Sequence, residues 1–209
     1  MNFMLSMVRS EWFSWLADDD VLHPQFISKF IEITKNNKKK DISAILCDYI
    51  EAENSINFTN NAIVSEVSKY YEFESFFRDF FSRKIKIIGV YGFLKTEVVK
   101  EIGGLKAFVT DLPYYGDTGF LLELLEKGTI IFNQSQLFLL RRHDGSVSSK
   151  IENITYLRES QENFLKTFKP FLKNKFPGKE YNQLTFLLIN WFINDNLGVA
   201  LSVKNNSKI

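Results

Sequence analysis

The feature of this sequence that most constrains its fold is a strand, helix and strand pattern near the amino terminus. The apolar run "WFSWLA" (12–17) has the length of a short buried strand. After it, "HPQFISKFIEITKNN" predicts an amphipathic helix with Pro24 at its first position. The run "ISAILCDYI" (42–50) predicts a second strand. Because this succession is the repeating unit of a parallel sheet, we expect an α/β fold.

Three consecutive carboxylates, Asp18, Asp19 and Asp20, follow the first predicted strand. They come after an apolar run that ends near Leu16, which we expect to be buried. Adjacent acids repel one another and are costly to desolvate, so acids in this place usually meet a cation. Two carboxylates on alternate residues can hold one hard divalent ion outside the carboxyl end of a strand. The alternative is a solvated turn that leads into the helix at Pro24.

The rest of the chain continues the alternation of helices and strands. The predicted helix over 96–103 ends at the pair Gly103 and Gly104, because glycine is the usual residue at a helix end. The further predicted elements are a helix over 70–83, a strand over 86–95, a helix over 96–103, a helix over 118–128, one bent strand or two short strands over 129–143, and helices over 151–209 with a break at 176–180.

Charge and cysteine content argue against several classes of function. The 26 basic and 25 acidic residues leave a net charge of +1, so no global field attracts nucleic acid, and we expect no nucleic-acid partner. The single cysteine, Cys47, cannot form an internal disulfide and lies in an apolar run, which fits a reducing compartment. The amino-terminal residues lack the pattern of a secretory signal, so we expect a cytoplasmic protein.

The most apolar stretch of the sequence covers residues 184–203. It is long enough to span a membrane, but Asp195 near its centre would be costly in lipid. We therefore expect a packed amphipathic helix that rests on a partner or, as a peripheral contact, on the inner membrane surface.

Three segments taken together resemble family 2 glycosyltransferases. Residues 2–26, "NFMLSMVRSEWFSWLADDDVLHPQF", resemble the helix, strand, DXD-type metal motif and proline-started helix in the middle of that family. Residues 90–105, "VYGFLKTEVVKEIGGL", are similar to its strand, helix and glycine-pair loop. Residues 114–149 resemble its acidic helix start, its next strand and its closing R-x-x-x-S segment. The order and spacing of the three segments agree with the family.

The resemblance implies an α/β fold that is the carboxyl portion of an A-type, nucleotide-diphospho-sugar transferase fold over residues 1–150. A helical carboxyl-terminal appendage is expected over 151–209. At roughly 30 residues per strand and helix unit, the family's first nucleotide-binding strands correspond to about 60–90 further residues. The Q-x-x-R-W motif of processive synthases is absent from the sequence, which favours transfer of a single sugar.

Several residues match functional positions of the family. Asp18 and Asp20 match its metal motif, which binds the donor diphosphate through Mg²⁺ or Mn²⁺, with Asp20 favoured as the direct ligand. Asp117 matches the acid that serves inverting members as general base; as an alternative or in addition, it is the N-cap of a helix. Gly103 and Gly104 match the loop that approaches the donor sugar, and their alternative is a simple helix cap.

Basic residues follow the last predicted strand of the resemblance. Arg141 and Arg142 lie where cationic side chains would neutralise a diphosphate. His143 is a candidate third metal ligand, with a solvated loop residue as the alternative. Tyr114 and Tyr115 either stack on a sugar or pack in the core.

These observations predict an inverting glycosyltransferase. The expected reaction moves one sugar from a nucleotide-diphosphate donor to a glycan or lipid-linked acceptor in bacterial surface polysaccharide synthesis. One alternative is an inactive, truncated remnant. Another is a metal-dependent nucleotidyltransferase, which would need a Gly-rich or Lys-containing phosphate loop.

Overall fold

The computed structural model describes residues 2–37, 41–53, 62–87, 91–106, 114–142 and 154–206. Its strands are β1 (Trp12–Phe13), β2 (Val21–Leu22), β3 (Ile42–Glu53), β4 (Ser68–Tyr71), β5 (Gly92–Lys95) and β6 (Thr129–Arg142). Its helices are α1 (Asn2–Met7), α2 (Phe26–Asn36), α3 (Phe73–Phe81), α4 (Thr96–Glu101), α5 (Gly116–Lys127), α6 (Ile154–Lys175) and α7 (Lys179–Asn206).

The two longest strands, β3 and β6, form the parallel centre of a mixed sheet with the order β1-β5-β3-β6-β2. Strand β5 pairs antiparallel with both β1 and β3. On its other edge, β6 pairs antiparallel with β4 along its first half and with β2 along its second half. Because β3 and β6 are parallel, their carboxyl ends meet at one end of the sheet.

Both faces of the sheet are buried, as a parallel centre requires. Alternate residues of β3 point to opposite faces: Ala44 and Leu46 join one apolar core, and Ile45 and Cys47 join the other. Helix α2 covers the second face, and helices α3, α5, α6 and α7 cover the first. The prediction of a buried Cys47 is confirmed, and burial raises the pKa of its thiol to about 12.

Several sequence predictions differ from the observed elements. Only Trp12 and Phe13 of the predicted strand 12–17 pair with a neighbour, and the rest of that run is not strand. The expectation that Leu16 is buried is wrong, since its side chain is 47% exposed. The short edge strand β4 was not predicted, because "SKYY" was assigned in part to the following helix. Helix α2 begins two residues after Pro24.

The glycine pair ends α4 as predicted. Gly103 and Gly104 have φ angles of 82° and 78°, which a residue with a side chain rarely adopts. The Gly103 amide donates to the Lys100 carbonyl (3.2 Å) and the Gly104 amide donates to the Val99 carbonyl (3.0 Å). This pair of hydrogen bonds is a Schellman motif, so the geometry supplies a local structural role for both glycines.

Helices α6 and α7 pack against the same core as the sheet. Their buried residues include Phe164, Phe168, Leu184, Leu188 and Phe192. The predicted break at 176–180 is confirmed by the end of α6 at Lys175 and the start of α7 at Lys179.

Helix α7 packs against the core, as expected, but it carries apolar side chains on its outward side as well. Both of its acids are partly exposed and pair with arginines at or near α3: Glu180 with Arg78 (3.8 Å) and Asp195 with Arg83 (3.3 Å). Its outward face carries a stripe of exposed apolar side chains, which are Phe186, Ile189, Ile193, Leu197 and Leu201. Within the described ranges, residues 179–201 form one helix that is long and apolar enough to cross a membrane.

Alanine substitutions at Gly92 and Gly198 test the close packing of β5 against β3. A Cβ at Gly92 would lie 2.1 Å from the Ile45 carbonyl oxygen, because β5 passes close to β3. We expect Gly92→Ala to lower the free energy of unfolding by about 2 kcal/mol or more, since the backbone must move. Urea denaturation measures this change.

The same substitution at Gly198 is the matched control. Apart from its chain neighbours and the backbone of its own helix, no atom of the described residues lies within 4 Å of a Cβ built at this helical position. Gly198→Ala should therefore stabilise the chain by about 0.5–1 kcal/mol, because alanine loses less backbone entropy in a helix. Equal effects of the two substitutions would contradict the described sheet packing.

Candidate functional site

The topology brings three chain segments to the carboxyl ends of β3 and β6. Asp20 immediately precedes β2, which pairs with the last part of β6. Tyr91 precedes β5, which runs antiparallel to β3 and therefore begins at this end of the sheet. Helix α5 leads directly into β6, so its first turn, with Asp117, lies toward the carboxyl end of β6. Ligands bind at this end of open α/β sheets.

Asp20 is the most firmly held residue of the site. Its side chain is only 9% exposed. The Tyr91 hydroxyl donates to Oδ2 (2.7 Å) and the Arg141 backbone amide donates to Oδ1 (3.0 Å). The register explains the second bond, because Val21 pairs with Leu139 and this brings the preceding Asp20 beside the chain at Arg141. The carboxylate is thus fixed in position and retains free lone pairs for a ligand.

Tyr91 is hydrogen-bonded to Asp20 and lies within electrostatic range of Asp117. Its ring packs on Phe138 of β6, with ring centres 4.0 Å apart. Burial, followed by the hydrogen bond to Asp20 and that carboxylate's charge, raises the pKa of the Tyr91 phenol well above its usual range. The charge of Asp117 adds to this shift, so Asp117 lies within electrostatic range of the Tyr91 hydroxyl. Sequence reasoning missed Tyr91, since its role depends on the antiparallel placement of β5.

Asp117 lies in the first turn of α5. The prediction that it is the N-cap is wrong: the helix begins at Gly116, Tyr115 is the N-cap residue, and no side chain caps this end. No residue in the described part of the chain hydrogen-bonds to its carboxylate. Solvent reaches this side chain, but the surrounding protein raises the pKa of its carboxyl by desolvation. A carboxylate with a raised pKa and no internal partner is suited to accept a proton.

Aromatic packing holds the acidic segment against α5. Trp15 is buried, and its ring lies 5.5 Å from that of Phe120 and 5.1 Å from that of Phe13. Phe120 belongs to the same helix as Asp117, one turn further along. This contact couples the position of the turn at Asp18 and Asp19 to that of α5.

The remaining predicted metal ligands are only partly described. Asp18 is exposed in the turn before Asp20 and pairs with no described residue. His143 lies outside the described residues. Within the described ranges, no three His, Cys, Asp or Glu side chains gather into a metal site. The two aspartates offer hard oxygen ligands that suit Mg²⁺ or Mn²⁺, but further oxygens would have to come from a ligand or water.

The two predicted arginines have different surroundings. Arg142 is exposed, and its Nε donates to Glu51 Oε2 of the neighbouring strand (2.7 Å). Arg141 has a buried Nε that finds no hydrogen-bond partner among the described residues. Buried donors are rarely left unsatisfied, so this atom next to the Asp20 contact calls for an explanation such as a bound anion.

The other predicted site residues lie farther from this cluster or pack in the core. Gly103 and Gly104 belong to the Schellman motif after α4. Tyr114 is partly exposed, and burial raises the pKa of its hydroxyl. Tyr115 packs in the core, one of the two roles that the sequence left open.

Comparison with solved structures identifies the fold. The chain is similar to S. aureus TarS 1–349, solved in complex with UDP-GlcNAc, with a TM-score of 0.58 and 10% sequence identity. The similarity covers 91% of this chain and 50% of that one, so the chain spans about half the length of TarS 1–349. The predicted fold is confirmed: the chain has a nucleotide-sugar transferase-like fold with a helical carboxyl-terminal part.

No family model and no curated protein matches the sequence. Membership of glycosyltransferase family 2 therefore stays a prediction, as do the roles of the site residues.

The raised pKa of Asp117 predicts a pH-dependent effect on stability. Between its ordinary pKa of about 3.9 and its raised value, the native state binds more protons than the unfolded chain, so ionisation destabilises the fold. Asp117→Asn removes this cost. The variant should gain stability over wild type as the pH rises through this window and keep the gain at neutral pH, as measured by urea denaturation at several pH values.

Asp79→Asn is a control for which the opposite change of stability with pH is expected. A hydrogen bond from Lys69 lowers the pKa of the Asp79 carboxyl, so its ionised form stabilises the fold above the ordinary pKa. This variant should lose stability relative to wild type as the pH rises. A loss of stability in Asp117→Asn at neutral pH would contradict the desolvated environment of Asp117.

Proposed function

We propose that this chain carries the catalytic site of an inverting glycosyltransferase that moves a single sugar from a nucleotide-diphosphate donor to an acceptor hydroxyl. The observation that carries the proposal is the buried Asp20 carboxylate, which is held at both oxygens and lies beside Tyr91, a phenol within electrostatic range of Asp117. This arrangement lies at the carboxyl ends of β3 and β6, on a fold similar to that of TarS, which was solved with UDP-GlcNAc. Assignment to family 2 is part of the proposal.

The donor diphosphate is expected beside Asp20 and Arg141. The buried Nε of Arg141, which has no hydrogen-bond partner within the part of the chain that the structure describes, supports this location, because a guanidinium forms strong charge-assisted hydrogen bonds with phosphate oxygens. Asp20 and Asp18 would hold a Mg²⁺ or Mn²⁺ ion together with diphosphate oxygens. When bound, this ion would stabilise the negative charge of the leaving diphosphate.

Asp117 is the proposed general base. It accepts the proton of the acceptor hydroxyl while that oxygen forms a bond to the anomeric carbon and the bond from this carbon to the diphosphate oxygen breaks. The attack comes from the face opposite the leaving group, so the configuration inverts. The raised pKa of its carboxyl supports the assignment, since proton transfer is most efficient when the pKa of the base is near the working pH.

The acceptor belongs to the proposal as well. We propose a glycan or lipid-linked acceptor of bacterial surface polysaccharide synthesis, used in the cytoplasm at the inner membrane surface. The outward face of α7 supports this location: the two acids of the helix pair with Arg78 and Arg83 on the side of α3, and neither belongs to the apolar stripe. Asp195 ties the helix to the domain, which favours a helix lying on the membrane over one crossing it.

Calorimetric titration with two probes tests the donor site. With Mn²⁺ present, both UDP-GlcNAc and inorganic pyrophosphate should bind, since both offer a diphosphate. Asp20→Asn should weaken the binding of both at least about tenfold, and Asp117→Asn should bind both normally. Asp117→Asn should also lower the release of UDP from UDP-GlcNAc by about 10²-fold or more, the typical contribution of a general base.

Asp41→Asn is the matched control, because Asp41 lies at the opposite end of the sheet beside Thr129. It removes the same charge and should leave binding and turnover unchanged. Binding that survives in Asp20→Asn, or turnover that survives in Asp117→Asn, would exclude the assigned role. No binding of either probe by the wild-type chain would favour the inactive alternative.

Vesicle sedimentation tests the membrane contact. The chain should bind vesicles of phosphatidylethanolamine and phosphatidylglycerol, and Leu197→Asp should reduce the bound fraction about tenfold, since one buried leucine contributes about 1.5–3 kcal/mol. Asn174→Asp adds the same charge to an exposed position of α6 and should bind like wild type. Equal loss in both variants, or no binding by wild type, would contradict the contact.

A further inference from the structure

Tyr115 has an unusual backbone conformation directly before Asp117. Its φ and ψ angles are 60° and 6°, in the left-handed region. A residue with a side chain adopts this region at a cost in free energy, and such strain persists only where the surroundings enforce it. N-cap residues usually have extended backbone, so the start of α5 is not a conformation that the local sequence favours.

The side chain of Tyr115 shows what enforces this conformation. Its ring packs at steep angles against the rings of Trp191 and Phe192 of α7, with centres 5.3 and 5.1 Å away. The ring of Phe164 of α6 lies 6.1 Å away. The two carboxyl-terminal helices therefore form the socket for this side chain.

The hydroxyl of Tyr115 is held at both its donor and its acceptor. It donates to Asp195 Oδ2 (3.2 Å) and accepts from Gln161 Nε2 (2.9 Å). Gln161 is itself fixed by a reciprocal pair of amide hydrogen bonds with Asn196, each 3.1 Å long. The network lies partly buried between α6 and α7, and its mutually satisfied polar groups give positional specificity.

Asp195 also contacts Arg83, a second residue with a positive φ angle. Its Oδ1 lies 3.3 Å from Arg83 Nη2, and Arg83 has a φ of 62° just after α3. Arg83 and Tyr115 are the non-glycine residues with positive φ in the described ranges, and both bind this one carboxylate. The conformation of Arg83 is that of a helix end, because the Arg83 and Lys84 amides donate to the Phe80 and Asp79 carbonyls (2.9 and 2.8 Å). Tyr115 instead begins a helix, where the left-handed conformation is unusual.

The backbone of Tyr115 starts the helix that carries Asp117. Its carbonyl accepts the Gly119 amide (2.9 Å), which is the first hydrogen bond of α5. A rotation of Tyr115 would break this bond and redirect the first turn, including Asp117.

We propose that Tyr115 is a positioning residue: the socket of Asp195, Gln161 and the α7 aromatic rings fixes the first turn of α5 and thereby aims Asp117 at the acceptor. The inference rests on the proposed function for the role of Asp117. It makes α6 and α7 part of the active-site machinery, because they determine where the base lies.

Tyr115→Phe in the 209-residue chain tests the proposal, since it keeps the ring packing and removes the hydroxyl. We expect the Gly119 amide to exchange with deuterium at least about tenfold faster, as measured by NMR. We also expect kcat for UDP release from UDP-GlcNAc with Mn²⁺ to fall about tenfold or more while KM changes less than about twofold, because misplaced catalytic groups affect the chemical step. Asp195→Asn, which reaches Tyr115 from α7, should reproduce both changes.

Tyr156→Phe is the matched control and should change neither quantity, because Tyr156 is exposed on α6 and its hydroxyl has no hydrogen-bond partner in the described part of the chain. Tyr115→Phe with normal Gly119 exchange and normal kcat would overturn the proposal, as would faster exchange with an unchanged kcat. If wild type releases no UDP, the proposed function fails, and Gly119 exchange alone decides whether the socket fixes the start of α5.

Discussion

The parallel pairing of β3 with β6 is the constraint on which the rest of the structure depends. It extends from Ile42 and Thr129 to Glu53 and Arg142, nearly the full length of both strands. This pairing places the carboxyl ends of the two strands together. The antiparallel partners β5 and β2 then deliver Tyr91 and Asp20 to that end, and the short connection after α5 brings Asp117 to it. The candidate site is therefore a consequence of strand direction.

The site combines acids that the fold holds in different ways. Asp20 is buried and receives two hydrogen bonds, so its position is fixed, whereas Asp117 has no internal partner and a pKa raised by desolvation. The desolvation of Asp117 costs stability relative to a paired carboxylate, and such costs concentrate at functional sites. The strained backbone of Tyr115, next to Asp117, fits the same pattern.

Much of the fold could be predicted from the sequence, because periodicity and glycine signals are local. The run at 42–50, the helix stop at Gly103 and the break at 176–180 follow from nearest-neighbour chemistry. The expected cluster of Asp20, Asp117 and Arg141 came from the family resemblance. Tyr91 and the Tyr115 socket could not be predicted, since each depends on contacts between residues more than 40 positions apart. Leu16 was misassigned because an apolar run does not reveal which of its residues leave the sheet.

A crystal structure of the chain grown with UDP-GlcNAc and Mn²⁺ tests the central claim most directly. The account predicts an anomalous manganese peak at the carboxylate of Asp20, with the donor diphosphate between this ion and Arg141 and the anomeric carbon facing Asp117. Manganese and diphosphate bound elsewhere on the chain, with the Asp20 carboxylate contacting only Tyr91 and Arg141, would contradict it.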